Sequence, residues 1–311
     1  MRSVTIGTRG SSLSLCQAQI VQTKLEERNP ECAFRLQTIS AQADKNPELS
    51  LTQMSGEGVF VKELEAALLD GRIDLAVHSM KDLPLDLPSS LRIGAVLERD
   101  EPRDAFVSRS GSAFEQLPSE SRVGTSSLRR RSQLLHRRRD LQMLDIRGNV
   151  DTRLRKLDAG QYDAIVIAAC GLIRLGLEAR ITEYLDFSQM LPEPGQGALA
   201  VEVRADDRRA LDLVSGLEDP LSRSCVEAER SFLRALGGGC RVPIAAYASE
   251  KDSVLELEGA VMAPDGSSQL RGRVLGPMTE PVALGERLAE QLVSKGAKQL
   301  LQLDSAIKKD A

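Results

Sequence analysis

The stretch RVGTSSLRRRSQLLHRRRDLQMLDIRGNVDTRLR, residues 122–155, sets both the fold class and the chemistry of this 311-residue chain. Residues 122–125 read as a strand, 127–135 as a helix, 141–146 as a second strand and 149–157 as a second helix; a buried apolar strand follows at 163–169. Strand and helix in alternation predict a largely parallel sheet covered by helices. The same stretch carries ten arginines (Arg122, Arg129, Arg130, Arg131, Arg137, Arg138, Arg139, Arg147, Arg153 and Arg155) against three acids, Asp140, Asp145 and Asp151. A guanidinium offers a planar fork of donors that matches a carboxylate or phosphate two bonds at a time. Set among glycine and serine turns, these arginines predict a ligand carrying several negative charges.

Outward from this block the alternation continues. Upstream, 4–8 reads as a strand, and Ser11 caps a helix with Leu13, Cys16, Ile20, Val21 and Leu25 on one face. A strand at 34–39, an amphipathic helix at 60–69 stopped near Gly71, and a strand at 73–78 follow. Downstream, Pro192-Glu193-Pro194-Gly195-Gln196-Gly197 ends the block, and a strand at 198–203 with the helix after it returns to the first block. Beyond Pro220 come a helical stripe of Leu221, Cys225, Ala228, Phe232 and Leu236 and strands near 242–248, 254–262 and 269–275. A Pro264-Asp265-Gly266 hairpin turn and a final helix at 281–303 complete the chain. The expected architecture is two α/β lobes, 1–99 with 196–216 and 100–195, and a smaller α+β domain with an antiparallel sheet, 217–311.

Composition narrows the function. Hydrophobic content of 41% and charged content of 28% are those of a globular protein. A net charge of -4 argues against a general nucleic-acid binder, and 3% aromatics with no Trp argue against base-stacking platforms. The start of the chain shows no basic segment leading into an apolar core, so no secretory signal is expected, and runs such as 164–170 are too short to span a bilayer. Five cysteines and two histidines, all widely spaced, predict neither a disulfide framework nor a metal site, and the cytoplasm is the expected compartment.

Three strand-to-helix junctions share one device. In Gly124-Thr125-Ser126-Ser127-Leu128-Arg129-Arg130, backbone N–H groups and hydroxyls at a helix start can hold an anion, with two arginines adding charge. The plain alternative is an N-cap beside surface arginines. Ile146-Arg147-Gly148-Asn149-Val150-Asp151-Thr152-Arg153 and Thr8-Arg9-Gly10-Ser11-Ser12 repeat the pattern, whereas Arg137-Arg138-Arg139 reads as a solvated face. His78-Ser79-Met80-Lys81-Asp82 ends another strand. Cations nearby would depress the pKa of Asp82, leaving an ionised carboxylate suited to a cationic intermediate, while His78 reads as structural. In Gly237-Gly238-Gly239-Cys240-Arg241-Val242-Pro243 the glycines predict an exposed loop carrying an accessible, thiolate-biased Cys240. The other cysteines, Cys16, Cys32, Cys170 and Cys225, read as small buried hydrophobes.

Together these segments resemble the porphobilinogen deaminase (hydroxymethylbilane synthase) family. The matching residues run in the family's order at 8–18, 60–65, 77–84, 124–130, 147–153, 171–177, 195–198 and 237–243, and cover nearly the whole chain. The resemblance implies two lobes like those of periplasmic binding proteins and a third domain presenting Cys240 as the covalent anchor of a dipyrromethane cofactor. It implies a transferase of tetrapyrrole (porphyrin and haem) biosynthesis. Such an enzyme joins four porphobilinogen molecules head to tail, releases ammonia at each step and hydrolyses off hydroxymethylbilane.

Each pyrrole carries acetate and propionate groups, which is what bidentate guanidinium contacts match. By resemblance Asp82 is catalytic. Lys81, Asp82, Thr125, Ser126, Ser127, Arg129, Arg130 and Arg147 would hold the cofactor, and Arg9, Ser11, Phe60, Arg147, Arg153, Arg174 and Gln196 the substrate. No metal, nucleic acid or membrane is implied, and a monomer is expected. One departure stands out: Gln53 and Glu57 occupy a loop where family members often carry lysine, so no binding role is assigned there. A non-catalytic anion binder accounts for the strand-to-helix turns but leaves Cys240 and the third domain unexplained.

Overall fold

The computed structural model describes residues 2–39, 61–238 and 242–301. Its contacts divide the chain into two compact units, Met1–Asp100 with Gly197–Arg223 and Glu101–Gln196 with Ser224–Ala311.

The first unit begins with strands β1 (Arg2–Thr8), β2 (Cys32–Thr38), β3 (Leu75–Ser79) and β4 (Leu91–Val96). Helix α1 (Ser12–Arg28) joins β1 to β2, and α2 (Lys62–Leu69) precedes β3. Ser11 caps α1, its hydroxyl accepting from the Ser14 N–H at 3.2 Å. The buried face of α1 is Gln17, Ala18, Val21 and Leu25; Leu13, Cys16 and Ile20 are only half-buried, so the expected stripe is rotated. Gln17 can be buried because its amide donates to Ser79 Oγ at 2.9 Å. Cys32 is likewise half-buried, unlike Cys170 and Cys225, which are buried as expected.

The second unit supplies β5 (Asp104–Ser108), β6 (Arg122–Gly124), α3 (Leu128–Arg137), β7 (Gln142–Leu144) and α4 (Val150–Asp158). It continues with β8 (Ala164–Ala168), α5 (Ala169–Arg174) and β9 (Glu183–Leu185). The chain then returns to the first unit as β10 (Leu199–Arg204) and α6 (Arg208–Ser215). Strand order is β2-β1-β3-β10-β4 in one sheet and β7-β6-β8-β5-β9 in the other. In each, only the fourth strand runs against its neighbours. The largely parallel sheet is therefore present twice, each time with one reversed strand that directly follows a crossing of the chain. At the second crossing Gly197 takes φ +93°, and a Cβ there would stand 2.6 Å from the Asp100 carbonyl oxygen; only glycine fits that approach. Every residue of β8 is buried, as a central parallel strand requires.

Helix α7 (Pro220–Ala235), strands β11 (Ile244–Lys251), β12 (Val254–Met262) and β13 (Gln269–Gly276), and α8 (Pro281–Ser294) follow. The sheet is antiparallel. Asp252 and Ser253 join β11 to β12 with φ of 50° and 65°, the left-handed pair that tight hairpins favour. Phe232 of α7 packs beneath Gly259 on one face, while Leu191 meets Ala245, Ala260 and Met262 on the other. The β12–β13 turn rests on α3, where Ser132 Oγ donates to the Pro264 carbonyl at 3.2 Å. The final helix stops at Ser294 instead of running to 303 without a break, because Gly296 at φ +100° interrupts it. No helix among the described residues is long and apolar enough to cross a membrane.

Candidate active site

In the second unit β6, β7 and β8 are adjacent and parallel, so the segments that follow them leave the sheet at one edge, where open α/β sheets bind ligands. Ser127 caps α3 by accepting from the Arg130 N–H at 3.4 Å. Thr125 Oγ1 accepts from the Ser127 N–H at 3.2 Å. Ser126 Oγ donates to the Ile146 carbonyl at 2.9 Å and accepts from the Ile146 N–H at 3.1 Å. That double bond locks the turn after β6 to the turn after β7, which are brought together as their shared pattern predicts. Gly148, at φ +107°, opens the second turn, and its carbonyl accepts from Arg153 Nε at 2.7 Å. Lys156, not singled out from sequence, donates to the Arg147 carbonyl at 3.2 Å.

Beside these turns lies a carboxylate that the motifs did not reveal. Asp104, the first residue of β5, is fully buried. Its Oδ1 accepts from Arg130 Nε at 3.1 Å, Arg130 Nη2 at 2.8 Å and Gln196 Nε2 at 2.9 Å, and its Oδ2 from Arg129 Nη1 at 2.7 Å. Burial alone would raise this carboxyl; the charges of Arg129 and Arg130 outweigh it and hold the group well below the usual carboxylate range. Arg129 Nη1 also reaches the Leu191 carbonyl at 2.7 Å, whereas its Nε and Nη2 are buried without a hydrogen-bond partner. Arg153, half-buried, has its guanidinium brought down to about 10 by desolvation and then by the charge of Arg130.

Three guanidiniums and one buried carboxylate leave this cluster with excess positive charge. Unlike a carboxylate, a guanidinium cannot shed its charge by titrating, and each buried unpartnered donor costs about 1–3 kcal/mol. An anion with carboxylates is what would relieve both.

In the first unit β1 and β3 are adjacent and parallel, which places Arg9 and Ser11 beside Lys81 and Asp82 at one sheet edge. Met80–Asp82 form a 3-10 turn, anchored by buried Met80, whose N–H donates to the Ala198 carbonyl at 3.0 Å. Lys81 is half-buried and Asp82 exposed. Behind them His78 is buried and bonded to Glu202 Oε2 at 3.0 Å, the structural role expected of it. Burial first, and then Glu202, raise the carboxyl of nearby Glu65.

The ten arginines of the opening stretch thus separate by task. Arg129, Arg130, Arg147 and Arg153 belong to the strand-end edge, and Arg174 ends α5 after β8. Arg122 instead pairs with Asp163 at 3.0 Å, and Arg137 with Glu115 at 2.9 Å on the surface. Arg138 is not simply solvated: it pairs with Asp140 at 2.7 Å and donates to the Leu117 carbonyl at 2.9 Å. Gln196, expected at the substrate, has its amide engaged with Pro102, Asp104 and Arg130. Phe60, Cys240 and the loop with Gln53 and Glu57 lie outside the described residues. Among the described residues no group of three His, Cys, Asp or Glu side chains could hold a metal ion.

Fold and sites define a two-lobed α/β protein with strand-end edges suited to a ligand bearing several carboxylates. Residues 4–212 match the family model "Porphobilinogen deaminase, dipyromethane cofactor binding domain", and residues 223–294 match "Porphobilinogen deaminase, C-terminal domain". A porphobilinogen deaminase of Thiobacillus denitrificans is 46% identical over 301 residues, spanning 97% of this chain and 98% of that one. Another, from Syntrophotalea carbinolica, is 47% identical over 299 residues, spanning 96% and 95%. Among solved structures, a periplasmic substrate-binding protein of an ABC transporter from Coxiella burnetii is 17% identical, covers 71% of this chain and 94% of that one, and has a TM-score of 0.42. The chain belongs to the porphobilinogen deaminase family.

Proposed function

We propose that the chain joins four porphobilinogen molecules head to tail onto a covalently held dipyrromethane, releasing ammonia at each step, and then hydrolyses off hydroxymethylbilane. The observation that carries this reading is the buried, unpartnered Nε and Nη2 of Arg129 within a cluster of excess positive charge. Acetate and propionate groups on every pyrrole supply the matching carboxylates, and each unit added increases the demand for counter-charge.

From the second unit Arg129, Arg130, Arg147, Thr125, Ser126 and Ser127 would hold the cofactor, Ser126 also tying the two turns together through Ile146, and from the first unit Lys81 and Asp82 would do so. When bound, dipyrromethane supplies the terminal ring to which the first substrate unit is joined. Arg9, Ser11, Phe60, Arg147, Arg153, Arg174 and Gln196 would orient the incoming substrate. Positive charge develops on the substrate pyrrole as its aminomethyl nitrogen leaves. Asp82, at the end of β3, stabilises that charge electrostatically. Cys240 would carry the cofactor through a thioether. The chain works in the cytoplasm as a monomer, without nucleic acid, and divides at 1–99 with 196–216, 100–195 and 217–311.

Intact mass under denaturing conditions tests this reading, beside a Cys240→Ser variant. An adduct of dipyrromethane size that depends on Cys240 is expected. A wild-type chain that stays unmodified even after porphobilinogen is added overturns it.

A further inference from the structure

Arg129 and Arg130 are neighbours in sequence, yet the structure treats their forks differently. The Nε–Nη2 edge of a guanidinium is the side-on fork that a carboxylate can accept bidentately. In Arg130 that fork is filled from within the protein: Nε and Nη2 both donate to Asp104 Oδ1, at 3.1 and 2.8 Å, and Nη1 donates to the Val166 carbonyl at 3.3 Å. In Arg129 it is the far corner that is held. Nη1 alone donates to Asp104 Oδ2 and to the Leu191 carbonyl, both at 2.7 Å, and Nε and Nη2 are left over. Leu191 is itself fixed by Gln133, which accepts from its N–H at 2.8 Å and donates to its carbonyl at 3.0 Å.

Asp104 accepts four hydrogen bonds on two oxygens, about the full capacity of a carboxylate. Held ionised, it has no proton to give, and with its lone pairs occupied it has no acceptor site left for a ligand. Its influence on a ligand must pass through the arginines. We propose that Asp104 is the positioning residue of this site: it closes the fork of Arg130, pins Arg129 by one corner, and so aims the side-on fork of Arg129 at a carboxylate of the cofactor. This deepens the reading above and rests on it. It also explains how two adjacent guanidiniums share a buried site, because the same carboxylate screens their repulsion and sets their angle.

The test uses the full chain produced in a host that makes no porphobilinogen, so that it is isolated without cofactor. Porphobilinogen is then added, and uptake of the dipyrromethane mass is followed in time beside circular dichroism and melting. Asp104→Asn is expected to slow uptake at least tenfold with an unchanged dichroism spectrum; uptake at the wild-type rate overturns the proposal. Should Asp104→Asn fail to fold, the charge-balanced pair Asp104→Asn with Arg130→Gln is compared with Arg130→Gln alone. Uptake at least tenfold slower in the pair supports positioning through Arg129, and equal rates overturn it. If the wild-type chain takes up no adduct, it is the reading of the site that fails, and the proposal falls with it.

Discussion

Each lobe buries a cluster of ionisable side chains behind its strand-end edge, and the two clusters are opposite in kind. In the second unit Arg129 is left with unpartnered donors; in the first, Glu202 Oε1 and Glu65 Oε1 are buried without a hydrogen-bond partner. Orphaned acceptors and orphaned donors have different remedies. A carboxylate can take up a proton, and burial with the nearby charge of Glu202 already raises Glu65 in that direction. A guanidinium has no such route at any ordinary pH, so its unmade bonds wait for a ligand. One cluster is suited to holding a structural proton under β3, the strand that leads into the 3-10 turn carrying Asp82. The other is suited to holding an anion.

The largest effect expected separates chemistry from binding. Asp82→Asn should lower turnover on the order of 10²–10³-fold while leaving fold and cofactor mass intact, since it would remove the charge proposed to stabilise the cationic intermediate. Near-normal turnover would take Asp82 out of the mechanism. On the anion side, Arg147→Ala should slow elongation about 10- to 100-fold, the equivalent of a charge-assisted hydrogen bond of about 1.5–3 kcal/mol. Enzyme-bound intermediates that accumulate in the wild-type pattern would contradict that role.

Smaller effects probe the acidic cluster. Glu202→Gln weakens the bond to buried His78 and should cost about 1–3 kcal/mol in denaturant unfolding, without changing cofactor uptake. Least of all, Glu65→Gln should lie within about 0.5 kcal/mol of wild type, because the amide keeps the side chain's shape and removes a charge that burial and Glu202 disfavour. The pH dependence carries the sign. A raised carboxyl contributes stability that is fully present below its ordinary 4.5 and is lost as pH rises through the folded value, so Glu65→Gln should flatten that decline. Asp104 is the reverse: its contribution is present above its ordinary 3.8 and is lost only as acid approaches its depressed folded value. A Glu65→Gln variant as costly as Glu202→Gln would break the contrast between the clusters.

Much of the site was legible because its parts are local. Ser11 and Ser127 cap their helices, and the Gly148 turn and the strand ends before Arg9 and Lys81 lie where residue patterns place them, since each depends on neighbours a few residues away. Asp104 was missed although one signal was available: an acid directly heading the apolar run Ala105-Phe106-Val107 has to find a partner once the strand is buried.

By itself, then, the sequence determined the alternation of strands and helices, the strand-end turns, the stock of guanidinium groups and the family to which they belong. Only the tertiary structure decided that each sheet takes in one reversed strand after a crossing of the chain. It alone decided which of ten arginines gather at one edge, and that the fork of Arg130 is closed while that of Arg129 stays open. The reason is distance along the chain. Asp104 stands 25 residues before Arg129 and Gln196 lies 92 beyond Asp104, and no local pattern specifies which buried charges will meet once both ends of such a span are folded into one core.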